Sequence, residues 1–424
     1  MGNTFLTKDI KSVLRGYKMN LDKKMIKSNI PKIRFNNFEA FWVENRIADI
    51  VKISAGGDVD KVRLKESGKY PVIANALTNK GIVGFYDDYK VKAPAVTVTG
   101  RGDVGYAVAR HENFTPIVRL LTLQSEDIDV DYLENQINSM RILNESTGVP
   151  QLTAPQLGNY KVYHPEIEEQ SAIGSLFRIL DDLLASYKDN LANFQSLKAT
   201  MLSKMFPKAG QTVPEIRLDG FEGEWECLKI AEIFQIIDGD RGKSYPGESD
   251  FYSVGHTLFL DTGNVKKSGL DFSTTKFISE EKDKELRNGK LILGDFILTS
   301  RGTLGNVAYY NENIQKRYSS VRINSAMLIL RPLLGDKISP DYILAVLRGN
   351  LISDFMKVNQ VGSAQPHITK KEFSKIKVLV PSNIREQQAI GAYFSNLDKL
   401  INSHQEKISQ LETLKKKLLQ DMFI

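Results

Sequence analysis

Pro31-Lys32-Ile33-Arg34-Phe35, continuing through Phe38 to Trp42, returns in the second half of the chain as Pro214-Glu215-Ile216-Arg217-Leu218, continuing through Phe221 to Trp225, at a displacement of 183. The chain's only two tryptophans hold equivalent places in the two stretches. Working outward, Thr99-Gly100-Arg101-Gly102-Asp103-Val104-Gly105 is answered by Thr299-Ser300-Arg301-Gly302-Thr303-Leu304-Gly305 at a displacement of 200, so the second half is the longer one between these landmarks. Pro150 to Thr153 and Leu157 match Pro366 to Thr369 and Phe373 at 216, and Glu169-Gln170 matches Glu386-Gln387 at 217. From there to Phe206 and Phe423 the register holds. Fixed frames around drifting interiors describe two copies of one module, with a shared architecture and diverged specificity.

At roughly 100 to 200 residues per domain, 424 residues allow two to four domains. Hydrophobic residues make up 42% and charged residues 25%, which excludes disordered, collagen-like and membrane-embedded classes. Without an apolar run of about 18 residues or a cleavable leader, the chain is expected to be cytoplasmic. The single cysteine, Cys227, makes no internal disulfide, and no Cys or His spacing offers a metal site. The stretch up to Arg34 carries a net +7 and the rest of the chain a net −1, so any nucleic-acid footprint is a local patch and not a bulk field. The basic stretch with Lys8, Lys11, Arg15, Lys18, Lys23, Lys24 and Lys27 reads either as a phosphate-contacting arm or as a solvated leader helix.

Inside each module, runs such as Ala95 to Thr99, Leu291 to Leu293 and Phe296 to Thr299 predict short strands. Amphipathic stretches after Val130 and after Pro340 predict one helix per module at matching places, so each module is α+β. After each module comes a heptad stripe. The first is Ile173, Leu176, Leu180, Leu183, Tyr187, Asn190, Phe194, Leu197 and Met201; the second is Ile390, Tyr393, Leu397, Leu400, His404, Lys407, Leu411, Leu414 and Leu418. About 38 residues at ~1.5 Å each make a rod of roughly 57 Å whose narrow stripe needs a partner. Antiparallel pairing of the two helices closes the chain into a pseudo-twofold object with its modules held apart. Readers ~57 Å apart span about one and a half turns of B-DNA at ~34 Å per turn. Asn190, His404 and Lys407 interrupt the stripe near mid-helix and are expected to fix register.

Signatures of catalysis are missing. Gly239 to Ser244 ends in Gly-Lys-Ser, but the first glycine of a phosphate-binding loop falls on Ile237. His111, His164, His256, His367 and His404 have no metal spacing. There is no nucleophile elbow, no dinucleotide fingerprint and no Asn-Pro-Pro-aromatic tetrapeptide of the kind that holds adenine in amino-methyltransferases.

Together the doubled Pro-x-Ile-Arg-x3-Phe-x3-Trp opening, the doubled Arg-Gly-x-x-Gly turn and the doubled Glu-Gln-x2-Ile start of each long helix (Pro165, Glu169, Gln170, Ile173; Pro381, Glu386, Gln387, Ile390), each helix ending in Met-Phe, resemble the DNA-specificity subunit of type I restriction-modification systems. The likeness spans about residues 31 to 424. It implies a basic leader at 1–30 outside the repeat, target-recognition domain 1 at 31–165, a central spacer helix at 166–206, target-recognition domain 2 at 207–381 and a C-terminal spacer helix at 382–424. It also implies a non-catalytic chain that binds double-stranded DNA and two modification (methyltransferase) subunits, joined in some assemblies by motor and endonuclease subunits. S-adenosylmethionine, ATP and Mg are then expected on those partners and no cofactor on this chain.

Within that frame Arg101 and Arg301 are the first candidates for DNA contact. A glycine turn lets the backbone approach a phosphate or base edge, and a guanidinium pairs bidentately with guanine; a hairpin turn with a structural arginine is the competing reading. Further candidates are Asn75, Thr78, Asn79 and Lys80 in the first module and Arg241, Lys243, Ser244, Arg317 and Tyr318 in the second, with solvated loops as the alternative. Gln170 and Gln387 are candidates for partner docking or for helix capping. Two other functions stay open on the residues alone: a protein scaffold in which Arg101 and Arg301 are dispensable, and a metal-dependent nuclease built from scattered Asp, Glu and Lys.

Overall fold

A computed structural model describes residues 19–20, 29–140, 142, 151–359 and 367–424. Nearly all of the basic leader, together with the landmark prolines Pro150 and Pro366, lies outside the described residues. The chain forms two compact units, one of Met1–Asp189 with Glu406–Ile424 and one of Asn190–Gln405. The division differs from one in which the spacer helices stand apart: each unit takes one half of both long helices, because each stripe buries against its own module as well as against the other helix.

In the first unit, an antiparallel sheet runs in the order Lys52–Ala55, Leu120–Gln124, Ala95–Thr99, Ala107–Arg110. Every residue of the expected strand Ala95–Thr99 is buried, as an apolar β-branched run in a central position requires. The helix predicted after Val130 is Val130–Ser139, capped by the Asp129 side chain accepting from Tyr132 N. The second unit repeats the sheet order with Phe234–Asp238, Met327–Pro332, Phe296–Thr299 and Val307–Tyr309, and the helix with Pro340–Arg348, capped by Ser339. Leu291 to Leu293 is not a strand. Asp295 Oδ2 accepts from Ile292 N at 2.8 Å and Gly294 adopts a φ of +92°, which turns the chain before Phe296. Much of the second module's added length forms the strands Val265–Lys266 and Gly269–Leu270 and the helices Glu280–Glu285 and Glu312–Arg317.

The long helices are Ile167–Lys204 and Ile384–Asp421, 38 residues each. Within the first unit they run antiparallel, with Lys415 on Asp181 and Lys188 on Glu412. Within the second, Lys198 pairs with Asp398, and Phe194 meets His404 edge-on at 5.2 Å. Stripe residues Ile173, Leu176, Leu180, Ile390, Leu397, Leu411 and Leu418 are buried, whereas Leu197 and Leu400 stay 39% and 42% exposed. Of the expected register residues, Asn190 is exposed and does not enter the seam. His404 is half-buried, its Nδ1 2.9 Å from Leu400 O of its own helix. Lys407 is half-buried.

The doubled motifs meet in the core. In the first unit, Arg34 Nε and Nη2 donate to Glu169 at 2.7 and 2.6 Å, and Trp42 Nε1 donates to the same carboxylate at 3.3 Å. Trp42, Tyr132, Phe177 and Phe423 pack around this pair. In the second unit, Arg217 chelates Glu386 at 2.8 Å while Trp225, Tyr342, Phe394 and Phe206 repeat the aromatic cluster. Ile216 N reaches Lys204 O directly along the chain, and the first unit makes the same bond between Ile33 N and Asp421 O, closing the start of the repeat onto the end of the second long helix.

Each long helix also carries one glycine at a crossing. A Cβ on Gly174 comes within 2.6 Å of Asp129 Oδ1 and 2.8 Å of Tyr132 N, and one on Gly391 within 2.6 Å of Tyr342 N. Alanine is the better helix former by about 1 kcal/mol, yet the Gly391→Ala substitution is expected to destabilise the second unit by about 1–2 kcal/mol because backbone must move. Urea unfolding measures this; a stabilised variant would mean that the crossing relaxes freely.

Candidate nucleic-acid interface

Both Arg-Gly turns leave the central sheet at the end of its most buried strand, and both are built alike. Thr99 Oγ1 donates to Asp103 O and accepts from Tyr106 N, while Thr299 Oγ1 donates to Thr303 O and accepts from Asn306 N. Gly102 and Gly105 have φ of +74° and +84°, and Gly302 and Gly305 of +69° and +84°, a backbone that only glycine adopts without strain. A Cβ on Gly105 falls 2.7 Å from Ile142, and one on Gly305 falls 2.9 Å from Ile352, so the turns are also packed from behind. The threonines belong to the doubled motif, but their role of tying the turn is not legible from it.

At the tips, Arg101 and Arg301 are exposed, and among the described residues neither guanidinium has a hydrogen-bond or ion-pair partner. Their backbones, in contrast, are fixed. Asn75 Oδ1 accepts from Gly100 N at 2.6 Å and Arg101 N at 3.2 Å, and its Nδ2 donates to Arg101 O at 2.5 Å. Ala326 O accepts from the backbone N–H of Ser300 and Arg301 and from Ser300 Oγ. A free cationic fork on a rigid turn is pre-organised to pair with a phosphate or with a guanine edge.

The other candidates divide. Asn75 joins the Arg101 turn, but as its clamp, with both ends of its amide already engaged. Thr78, Asn79 and Lys80 form an exposed turn in which Asn79 and Lys80 both have φ +50°; Arg110 Nη2 holds Lys80 O at 2.7 Å. Arg241 donates to Ser325 O at 3.2 Å and Asp238 at 3.4 Å, which brings it beside the Arg301 turn. Asp240 anchors the Arg241 to Ser244 loop by accepting from Gly242, Arg287 and Asn288 N. Burial alone would raise its carboxyl, but these bonds and Arg322 hold it below the usual range. Lys243 is exposed and Ser244 half-buried. Tyr318 belongs to an aromatic cluster with Phe272 and Phe277, and Arg317 stacks over Phe272 and Tyr318, so both have structural work in the second module.

Gln170 and Gln387 are not docking residues. Each is 1% exposed. Gln170 accepts from Asp129 N and donates to Pro165 O, while Gln387 accepts from Ser339 N and donates to Pro381 O and Lys337 O. Each glutamine therefore ties the first turn of its long helix to the cap of the module's helix, an internal version of the capping alternative.

Among the described residues no cluster of three or more His, Cys, Asp and Glu side chains offers a metal site, and no helix is long and apolar enough to cross a membrane.

Each of the two units is an α+β module that presents a matching arginine turn. The family model of the type I restriction modification DNA specificity domain matches residues 39–193 and 222–413, and the chain belongs to that family. It is similar to a Mycoplasma pneumoniae protein assigned as a type I specificity subunit, 22% identical over 382 residues, covering 88% of this chain and 94% of that one. A counterpart in Mycoplasma genitalium is 20% identical over 407 residues, covering 92% and 97%. In fold, it resembles the crystal structure of the type I restriction-modification S subunit from M. genitalium, with a TM-score of 0.67 at 18% identity, covering 93% of this chain and 99% of that one. The chain is thus a DNA specificity subunit, a non-catalytic role.

Proposed function

We propose that the chain reads a bipartite double-stranded DNA target, one half-site per module, and holds two adenine-methyltransferase subunits on the long helices. The observation that carries this reading is the doubled turn: the same rigid backbone presents an exposed guanidinium, Arg101 or Arg301, in each of two modules whose surrounding loops have diverged. S-adenosylmethionine belongs to the methyltransferase subunits, and ATP and Mg to motor subunits where these join. The complex works in the cytoplasm, and this chain supplies address and not chemistry.

Co-expression with the modification subunits, followed by single-molecule mapping of methylated adenines, tests the reading. The expected result is a bipartite motif that disappears when this chain is omitted. Arg101→Ala should relax or abolish the first half-site alone and Arg301→Ala the second alone, at about 10- to 100-fold each for a lost bidentate base contact of roughly 1–3 kcal/mol. Methylation indifferent to the chain, or both arginine variants retaining the full motif, would move the function to a scaffold without base readout.

A further inference from the structure

Arg119 has an energetically costly backbone conformation and no buried contact to compensate for it. Its φ is +73°, in the left-handed region that disfavours any residue with a Cβ, and its side chain is exposed. The conformation belongs to a β-turn closed by Leu120 N on Ile117 O at 3.2 Å, with Arg119 at the third position, where a positive φ is required; Arg119 O in turn accepts from Gly100 N at 3.1 Å, and a Cβ on Gly100 would sit 2.4 Å from that oxygen. Its guanidinium Nη1 donates to Gln151 Oε1 at 3.1 Å, and Gln151 forms a β-bridge with Arg101. Arg119, Gln151 and Arg101 therefore share one rim of the first module. Such a turn position ordinarily takes glycine or asparagine, so an exposed arginine there is required neither by the turn nor by packing.

The second module replaces this residue and supplies its charge from elsewhere. Ala326 O takes the place of Arg119 O, accepting from Ser300 N as the other accepts from Gly100 N. Gly56 and Gly239, related by the same displacement as the opening motif, press on the opposite strand alike, with a built Cβ 2.2 Å from Ile117 O and 2.1 Å from Asn324 O respectively. Two residues on, the first module has Asp58 and the second Arg241, whose guanidinium reaches Ser325 O. Each rim thus bears two arginines, but the second one comes from a different strand end: the start of Leu120–Gln124 in the first module and the end of Phe234–Asp238 in the second.

We propose that Arg119 is a second specificity-determining residue of the first module, aimed by Gln151 at a base edge beside the one met by Arg101. The proposal rests on the DNA-reading function above. In the second module Arg241, on Ser325 O, takes the corresponding part beside Arg301.

The test is the methylation map of the co-expressed complex carrying Arg119→Gly, Arg119→Lys or Arg101→Ala. Glycine is at ease at φ +73°, so Arg119→Gly should leave the melting temperature unchanged or raised, while about 10-fold or more of the discrimination at one position of the first half-site is lost and the second half-site is untouched. Arg119→Lys should relax the same position, since an ammonium does not reproduce a bidentate fork. Full discrimination by either variant overturns the proposal: in the glycine variant the role is structural, and in the lysine variant the contact is to phosphate. If Arg101→Ala also keeps the motif, or omission of the chain changes nothing, the DNA-reading function itself fails; if Arg101→Ala relaxes the first half-site and Arg119→Gly does not, only this inference does.

Discussion

Arg34→Ala is expected to destabilise the first unit by about 3–5 kcal/mol and to lower its melting temperature by about 10 °C. The side chains of Arg34 and Glu169 are 9% and 2% exposed, and the carboxylate takes both of the guanidinium's parallel bonds as well as the Trp42 indole N–H. Removing the arginine leaves a carboxylate with one indole donor in a cluster of Phe35, Tyr132, Phe177 and Phe423. Most of the loss is therefore the stranded charge and not the attraction itself, since a buried pair's mutual gain barely offsets its desolvation. It follows that Arg34→Met combined with Glu169→Leu recovers most of what Arg34→Ala loses. Arg34→Lys, which keeps the charge but not the fork, falls between. Differential scanning calorimetry of the four proteins decides the matter; a loss below about 1 kcal/mol for Arg34→Ala would mean that water reaches Glu169. Arg217→Ala should act in the same direction on the second unit but less strongly, because the Arg217 side chain is 15% exposed and Trp225 Nε1 does not reach Glu386.

That pair shows where sequence reading stops. Ile-Arg and Glu-Gln are both visible as doubled marks, and doubling is enough to infer two modules, two helices and two exposed arginine turns. It does not reveal that Arg34 reaches Glu169 from the far end of the module, or that Gln170 spends its amide on Asp129 and Pro165. Periodicity reports which face of a helix is apolar; it carries no information on which polar side chain will be enclosed when that face is covered. For the same reason Asn190 has the spacing of a seam residue and is exposed in the fold. Arg119 escapes notice because no glycine or asparagine marks the turn that Leu120 N closes on Ile117 O, in which Arg119 takes the left-handed position. Leu291 to Leu293 misleads in the opposite sense, its apolar run broken by a turn that Asp295 makes with a single carboxylate bond.

The stability of the first unit should fall as the pH rises from about 5 to about 8, and Glu134→Gln should remove that fall. Glu134 lies on Val130–Ser139, partly buried. Burial pushes its carboxyl up from 4.5 to about 7, and the Asp181 carboxylate adds to the effect, with a smaller contribution from Asp131; Lys415 and the Ala109 N–H oppose it. The folded protein therefore binds this proton more tightly than the unfolded chain does. Between the two values the native state carries the extra proton, so unfolding becomes easier as pH rises, with little further change above the folded value. At about 1.4 kcal/mol per pH unit the full cost is about 3 kcal/mol. A glutamine has the same shape, retains an oxygen for the Ala109 N–H and has no charge to desolvate. Urea unfolding at both ends of the range should find Glu134→Gln within about 1 kcal/mol of the parent near pH 5 and about 2–3 kcal/mol more stable at pH 8. Lys415→Ala should steepen the parent's loss by removing the nearest opposing cation and leaving Asp181 unpaired. An advantage for glutamine of equal size at both pH values would show that it acts through packing and not through the proton.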